Sequence, residues 1–200
     1  DNSKWVYTHN RIRRKRSNTM SNLLVQNIKH TNGTTAQTIN SSGDITESNL
    51  EVDQFYLTSN DEQDGDDNIL TAWSRNDKTG FTKIGTGLTV SSGTFSFPRT
   101  GYYRLIYVYQ SNSDSNGDAM TGVLKVTTDN STYSTVAIAL NGTNGDTNQC
   151  GMCMTYVNVT DITQVKFRCQ SESMDSDSNT QGNAGQMRTS ISIERIAPAQ

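Results

Sequence analysis

The most regular feature of the chain is a period of two in its apolar residues. Successive side chains of an extended strand point to opposite faces, so this alternation predicts strands. It predicts them over 55–59, 69–74, 81–90, 94–97 and 102–110, then over 120–128, 133–140, 152–160, 165–170 and 187–196. Clusters of Asn, Ser, Asp and Gly, the residues that make turns, separate them. The longest clusters, 111–117, 141–148 and 171–185, carry no large aliphatic residue and read as exposed loops able to bind a partner. About ten antiparallel strands in the block 53–200 mean an all-β sandwich of jelly-roll type. No long window repeats apolar residues at i, i+3, i+4 and i+7, which excludes a helix bundle.

Two strands carry apolar residues on both faces. In 103–109, one parity is Tyr103, Leu105, Tyr107 and Tyr109, and the other contains Ile106 and Val108. In 152–159, Met152, Met154 and Tyr156 stand opposite Cys153, Val157 and Val159. A sandwich strand with one wet face alternates cleanly between apolar and polar. A second apolar face therefore packs against another chain, or is covered by a loop of its own chain. The first option makes Tyr103, Tyr107, Tyr109, Met152, Met154 and Tyr156 the expected interface between copies.

The N-terminal region is patterned differently. Residues 35–39 and 45–52 flank Asn40-Ser41-Ser42-Gly43-Asp44, which reads as a hairpin turn between two small strands. So few apolar side chains cannot bury a core, so this segment is either loose or ordered by a partner. The expected organisation is a basic arm over 1–20, a segment with a small hairpin over 21–52, and a head over 53–200. Met20-Ser21-Asn22 has the form of a second chain start.

Composition agrees with strands and polar turns. Asn, Ser and Thr supply 69 of the 200 residues and only 18% are charged, which excludes charge-driven disorder. The net charge of −3 hides an asymmetry: residues 1–30 hold seven basic side chains and one acid (7 − 1 = +6), the remainder ten and nineteen (10 − 19 = −9). The run Arg11-Ile12-Arg13-Arg14-Lys15-Arg16 suits nucleic acid, an acidic protein surface, a dibasic cleavage site or a solvated tail. The longest early aliphatic run, Leu23-Leu24-Val25, is too short to enter a membrane.

Candidate chemistry is sparse. The only histidines, His9 and His30, lie in the N-terminal region, so the head holds no Ser–His–Asp or Cys–His arrangement and no His-rich metal site. The acidic run 61–67 lacks the Gly and Glu spacing of a calcium loop. Cys150-Gly-Met-Cys153 has redox-motif spacing without a βαβ context. Cys153 and Cys169 fall at the inward parity of strands expected to be adjacent, as free core thiols or as a bridge. No enzyme, cofactor or metal is expected.

The run Gly93-Thr-Phe95-Ser-Phe97-Pro98-Arg-Thr-Gly101-Tyr102-Tyr103-Arg-Leu105 resembles the central motif of the tumour-necrosis-factor/complement C1q superfamily. Val157-Asn-Val159-Thr160-Asp161 and Ser190-Ile191-Ser192-Ile193-Glu194-Arg195-Ile196 resemble its last two motifs. The resemblance implies a ten-stranded jelly roll assembling as a tight homotrimer. Residues 25–36, Thr38-Ile39-Asn-Ser41-Ser42-Gly43 and the run 73–87 resemble segments of marine bacteriophage structural proteins. That resemblance implies a virion surface appendage on capsid or tail. Its N-terminal segment (Val25, Ile28, Thr38, Ile39, Gly43, Ile45) would attach to other virion proteins, and its head would meet a host glycan or receptor. The alternative is a secreted ligand of the same superfamily, freed by cleavage at Arg13-Arg14-Lys15-Arg16.

Overall fold

Thirteen consecutive residues, Gly101–Ser113, alternate without a break between buried and half-buried. In the computed structural model their odd-numbered side chains enter the core and their even-numbered ones face outward. The structure describes residues 27–29, 35–47, 49–113, 116–144, 147–174 and 178–200. The chain divides into two compact units, residues 1–46 and 47–200.

A three-stranded sheet of order β1-β2-β3 is formed by β1 (Asn27–Lys29), β2 (Thr35–Ile39) and β3 (Ile45–Glu47), the last of these ending at the unit boundary. The expected turn is present. The Asn40 side-chain oxygen accepts the amides of Ser42 and Asp44, both at 2.9 Å. Gly43 closes the turn at φ 87°, a conformation that only glycine adopts without cost.

The larger unit contains β4 (Val52–Leu57), β5 (Asn68–Ile69), β6 (Trp73–Arg75), β7 (Thr89–Ser91), β8 (Thr94–Ser96) and β9 (Gly101–Ser113). It continues with β10 (Asn116–Thr127), β11 (Ser134–Asn144), β12 (Thr147–Val159), β13 (Lys166–Glu172), β14 (Ser178–Thr180) and β15 (Ser190–Ala197). One six-stranded sheet runs β12-β9-β15-β4-β6 with β14 beside β9; the other runs β11-β10-β13-β8-β7 with β5 beside β13. From β9 the chain crosses to β10 in the opposite sheet, and from β11 it crosses back to β12. These crossings make an antiparallel jelly-roll sandwich. Among the described residues twelve strands stand where ten are expected: the expected strand over 69–74 divides into β5 and β6, and β14 is added beside β9.

The two sheets bury aromatic rings against one another. Phe95 of β8 stacks on Phe167 of β13 with ring centroids 4.7 Å apart, and Phe55 of β4 meets Phe95 edge-on at 5.2 Å. Leu105, Tyr107, Ile191 and Ile193 close the core from the other sheet. Each such side chain contributes about 1.5–3 kcal/mol by leaving water. Cys153 and Cys169 are both buried free thiols, but they stand on β12 and β13 in opposite sheets, not on adjacent strands.

The expected strand over 81–90 is largely irregular, with β7 only at its end. Two buried carboxylates explain this. Glu51 accepts the amide of Gly87 at 2.9 Å, and Asp53 accepts that of Leu88 at 2.8 Å, so these amides serve no ladder. Arg99 and Arg75 neutralise the two acids at 2.8 and 3.0 Å. Gly85 and Gly87 sit at φ 80° and 79°, and a Cβ on Gly85 would stand 2.4 Å from the Glu51 carboxylate. The segment is clamped to the base of the sandwich.

Of the expected loops, 111–117 and 141–148 are mostly strand, while 171–185 holds only the end of β13 and the short β14 among its described residues. Paired β9 and β12 run on to Ser113 and Thr147, and β14 pairs with the end of β9. Their alternating Ser, Asn and Thr side chains line a polar interior in place of an apolar one. Ser111, Ser113, Asn141, Ser178 and Thr180 are all buried. Asn141 donates to the Ser111 hydroxyl at 2.9 Å, and Thr180 to the Tyr109 hydroxyl at 3.4 Å. A period-two pattern made of polar residues is invisible to a hydrophobicity reading.

Burial pushes the Cys153 thiol up to about 11 from its ordinary 9.0, and raises the Cys169 thiol well above its ordinary value. A group whose folded pKa is raised gives full stability below its unfolded value and loses it as pH climbs. Unfolding free energy in urea should therefore be level up to about pH 9 and fall by about 1 kcal/mol per further pH unit for Cys153. Both thiols should resist a thiol reagent below pH 9 until the chain unfolds. A level profile to pH 11 with immediate labelling of both would contradict this core.

Candidate functional site

The outward residues of β9 and β12 line up across the ladder. Met152 stands opposite Val108, Met154 opposite Ile106, and Tyr156 opposite Arg104. Met152, Met154 and Tyr156 are 66%, 49% and 47% exposed. Tyr102, Ile106 and Val108 beside them are half-buried. Tyr102 stacks flat on Tyr156, with centroids 5.9 Å apart and ring planes 9° from parallel. This sheet face is apolar and open.

The opposite sheet ends in β11, whose outward residues Val136, Ile138 and Leu140 are 43%, 51% and 71% exposed. β11 and β12 are the terminal strands of their sheets at the same edge of the sandwich, and they lie in contact there. Gly151 permits that approach: a Cβ at this position would stand 2.6 Å from Asn141 Oδ1 and 3.2 Å from Ala139 Cβ. The edge is thus a wedge with an aliphatic flank on one side and a Met/Tyr flank on the other. Exposed apolar residues gathered on a sheet face in this way mark an interaction site, and Tyr and Met are typical of interface cores.

The structure separates the six residues expected at one interface. Met152, Met154 and Tyr156 lie on the open face. Tyr103, Tyr107 and Tyr109 do not: each is 0% exposed, inside the chain's own core. Their hydroxyls find acceptors at the core rim, the Arg99 carbonyl at 3.0 Å for Tyr103 and the Gln170 carbonyl at 3.4 Å for Tyr107. Tyr109 donates to the Met174 sulfur at 3.3 Å. The correction is one of parity. Tyr102, Ile106 and Val108 share the outer face with the β12 residues, and the tyrosine parity fills the sandwich. Both parities of β9 are apolar, so the sequence carries no sign of which turns inward.

The residues expected to attach the chain are less gathered. Ile28 and Ile45 are exposed, at 48% and 60%, while Thr38 and Ile39 are half-buried. Thr38 donates to Asn27 at 3.1 Å across the β1–β2 pair, and Gly43 serves the turn. Val25 lies outside the described residues.

A polar depression of about 660 Å³ is lined by Thr58, Asn60, Glu62, Asn183 and Arg188. It holds no histidine or cysteine to act as nucleophile or base. Among the described residues no group of three or more His, Cys, Asp or Glu is placed to hold a metal ion. Among them, too, no helix is long and apolar enough to cross a membrane.

Comparison with known proteins places the fold. No family model matches the chain, and no curated protein matches it by sequence. Among solved structures it is similar to Eiger TNF from S. frugiperda, with TM-score 0.61 and 12% identity over 76% of this chain and 95% of that one. It is also similar to murine APRIL, with TM-score 0.56 and 10% identity over 74% of this chain and 99% of that one. The head therefore has a tumour-necrosis-factor-like jelly-roll fold.

Two substitutions on neighbouring strands should separate core from open face. Tyr107→Ala should lower the unfolding free energy of the dissociated chain by about 3–5 kcal/mol. Met154→Ala should lower it by less than about 1 kcal/mol. Urea denaturation at low protein concentration measures both, and equal losses would contradict the assignment of faces.

Proposed function

We propose that the chain is a non-enzymatic structural protein of a bacteriophage virion, a homotrimeric surface appendage whose N-terminal segment joins it to the particle. The observation that carries this reading is the apolar wedge at the β11/β12 edge. Its two flanks face different directions, so one partner in a two-fold contact covers only one of them. A head-to-tail arrangement seats the β11 edge of one copy on the Met/Tyr face of the next, and such contacts close into a ring. Three copies is the number that the superfamily resemblance implies. The phage assignment is supported by the resemblance of residues 25–43 and 73–87 to marine phage structural proteins.

On this reading residues 1–46 bind capsid or tail proteins, with Ile28 and Ile45 offering apolar contacts. The heads project, and weak contacts of three copies with a host glycan or receptor add by avidity. A second reading is favoured by Arg13-Arg14-Lys15-Arg16: a secreted ligand freed from its arm by cleavage there.

Sedimentation of the full chain should give three copies of the 22.1 kDa subunit. Removing residues 1–46 should leave an assembled head that no longer joins the particle. A monomer at micromolar concentration would refute the assembly. Normal incorporation of the truncated head would refute the attachment role, and efficient release of the head by a dibasic-specific protease in animal cells would favour the second reading.

A further inference from the structure

Two loops meet at the end of the head opposite the Glu51/Asp53 base. One follows β4, over 58–62, and the other leads into β15, over 181–189. The backbones of Asp61 and Thr180 exchange hydrogen bonds at 2.9 and 2.8 Å. Gly182 lets the loops touch, since a Cβ there would stand 2.0 Å from the Ser59 carbonyl oxygen. Lys78 ties the second loop from outside, donating to the Ala184 carbonyl at 2.7 Å. Between these held loops lies the polar depression of about 660 Å³, a size that suits a small molecule.

The groups on its wall are only partly used by the fold. Asn60 Oδ1 accepts the Gly182 amide at 3.0 Å, and Asn183 Oδ1 accepts those of Gly185 and Gln186 at 2.7 and 3.1 Å. Each carboxamide is thereby fixed in place and keeps two N–H donors to offer. Arg188 gives one nitrogen to Gln181 Oε1 and keeps the rest of its fork. Glu62 is exposed and adds a carboxylate, which only accepts.

This set of groups selects a class of ligand. Among the described residues no aromatic or long aliphatic side chain lines the depression, so an apolar group gains little there. An anion is repelled by Glu62 and by the exposed Asp64 and Asp66 of the same run. A hydroxyl both donates and accepts, so neighbouring hydroxyls of an uncharged sugar ring can meet the amide donors and the carboxylate together.

We infer that the depression binds a neutral saccharide, with Asn60, Asn183 and Arg188 donating to sugar oxygens and Glu62 accepting from a hydroxyl. The inference rests on the adhesive role proposed above and adds the place on the head and the ligand class. The site lies past the end of β4 and before the start of β15, whereas the proposed copy-to-copy contact uses β9, β11 and β12. Each subunit of an assembly therefore carries its own site, and several weak sites add by avidity.

The test passes the full chain over immobilised dextran, mannan and galactan, with alginate as the polyanionic control, and reads binding by surface plasmon resonance. Asn60→Asp and Asn183→Asp keep the oxygens that hold the loops and remove the donors, and Glu62→Ala removes the acceptor from an exposed position. All three variants should melt as the wild type does. The wild type should bind at least one of the neutral polysaccharides and not alginate. Each variant should bind it at least about ten-fold more weakly, the loss of one hydrogen bond per site. If the variants bind as tightly as the wild type, the site is overturned while adhesion through another part of the head stands. Tighter binding to alginate than to any neutral polysaccharide overturns the ligand class. A wild type that binds none of the four overturns the inference and the glycan part of the adhesive role together.

Discussion

One strand has to satisfy two environments, and most of the molecule follows from how it does so. β9 is thirteen residues long and central to its sheet, paired with β12 on one side and β15 on the other. Extended backbone sends alternate side chains to opposite faces, so its odd residues must fill the sandwich and its even residues must face outward. The odd set includes three tyrosines and Leu105, bulky enough to set the spacing of the two sheets around the Phe95–Phe167 stack. The even set places Tyr102, Ile106 and Val108 around Arg104 on the outward face, with Gln110 and Asn112 beyond them, and exposed apolar residues gathered in this way mark an interaction site. A single pleat thus supplies both the core of one chain and the case for a neighbour.

The two ends of the sandwich are finished by different chemistry. At the base, Glu51 and Asp53 replace ladder partners for the 84–88 segment and are neutralised by Arg99 and Arg75. Removing either arginine would leave a carboxylate buried and unpaired, a loss of several kcal/mol. At the far end, Ser111, Asn141 and Thr180 continue the inward alternation with hydrogen-bonding side chains. That end gains directional bonds instead of apolar burial, so its geometry depends on every member being paired. The rigid middle and the polar end keep the β11/β12 edge in place, with Gly151 allowing the two terminal strands to touch.

The legible parts of the sequence were those where apolar alternation and structure coincide. The strands over 102–110, 120–128, 133–140, 152–160 and 165–170 all appear, each extended at one or both ends. The Asn40–Asp44 turn appears as expected because its Asn and Gly act locally. The segment 81–90 misled because Phe81, Ile84, Leu88 and Val90 stand among threonines there, while tertiary contacts from Glu51 and Asp53 decide its path. The polar runs 111–117 and 141–148 misled in the opposite sense, since buried Ser and Asn look like turn residues. At the candidate site, Met152, Met154 and Tyr156 were readable as an unmatched face. The choice between the two parities of β9 was not, because it depends on which face the second sheet covers. Val136, Ile138 and Leu140 became visible only when β11 was seen to end its sheet beside β12.

The account stands or falls on whether the even-numbered face of β9 and β12 is covered by copies of the same chain. Methionine oxidation followed by peptide mass analysis addresses this directly, because Met152 and Met154 lie on that face and Met120 lies in the core. Rates are compared in the full chain across a dilution series that spans association. The account predicts that Met152 and Met154 are protected at high concentration and oxidise quickly on dilution, with Met120 slow throughout. Rapid oxidation of Met152 and Met154 at every concentration would contradict it.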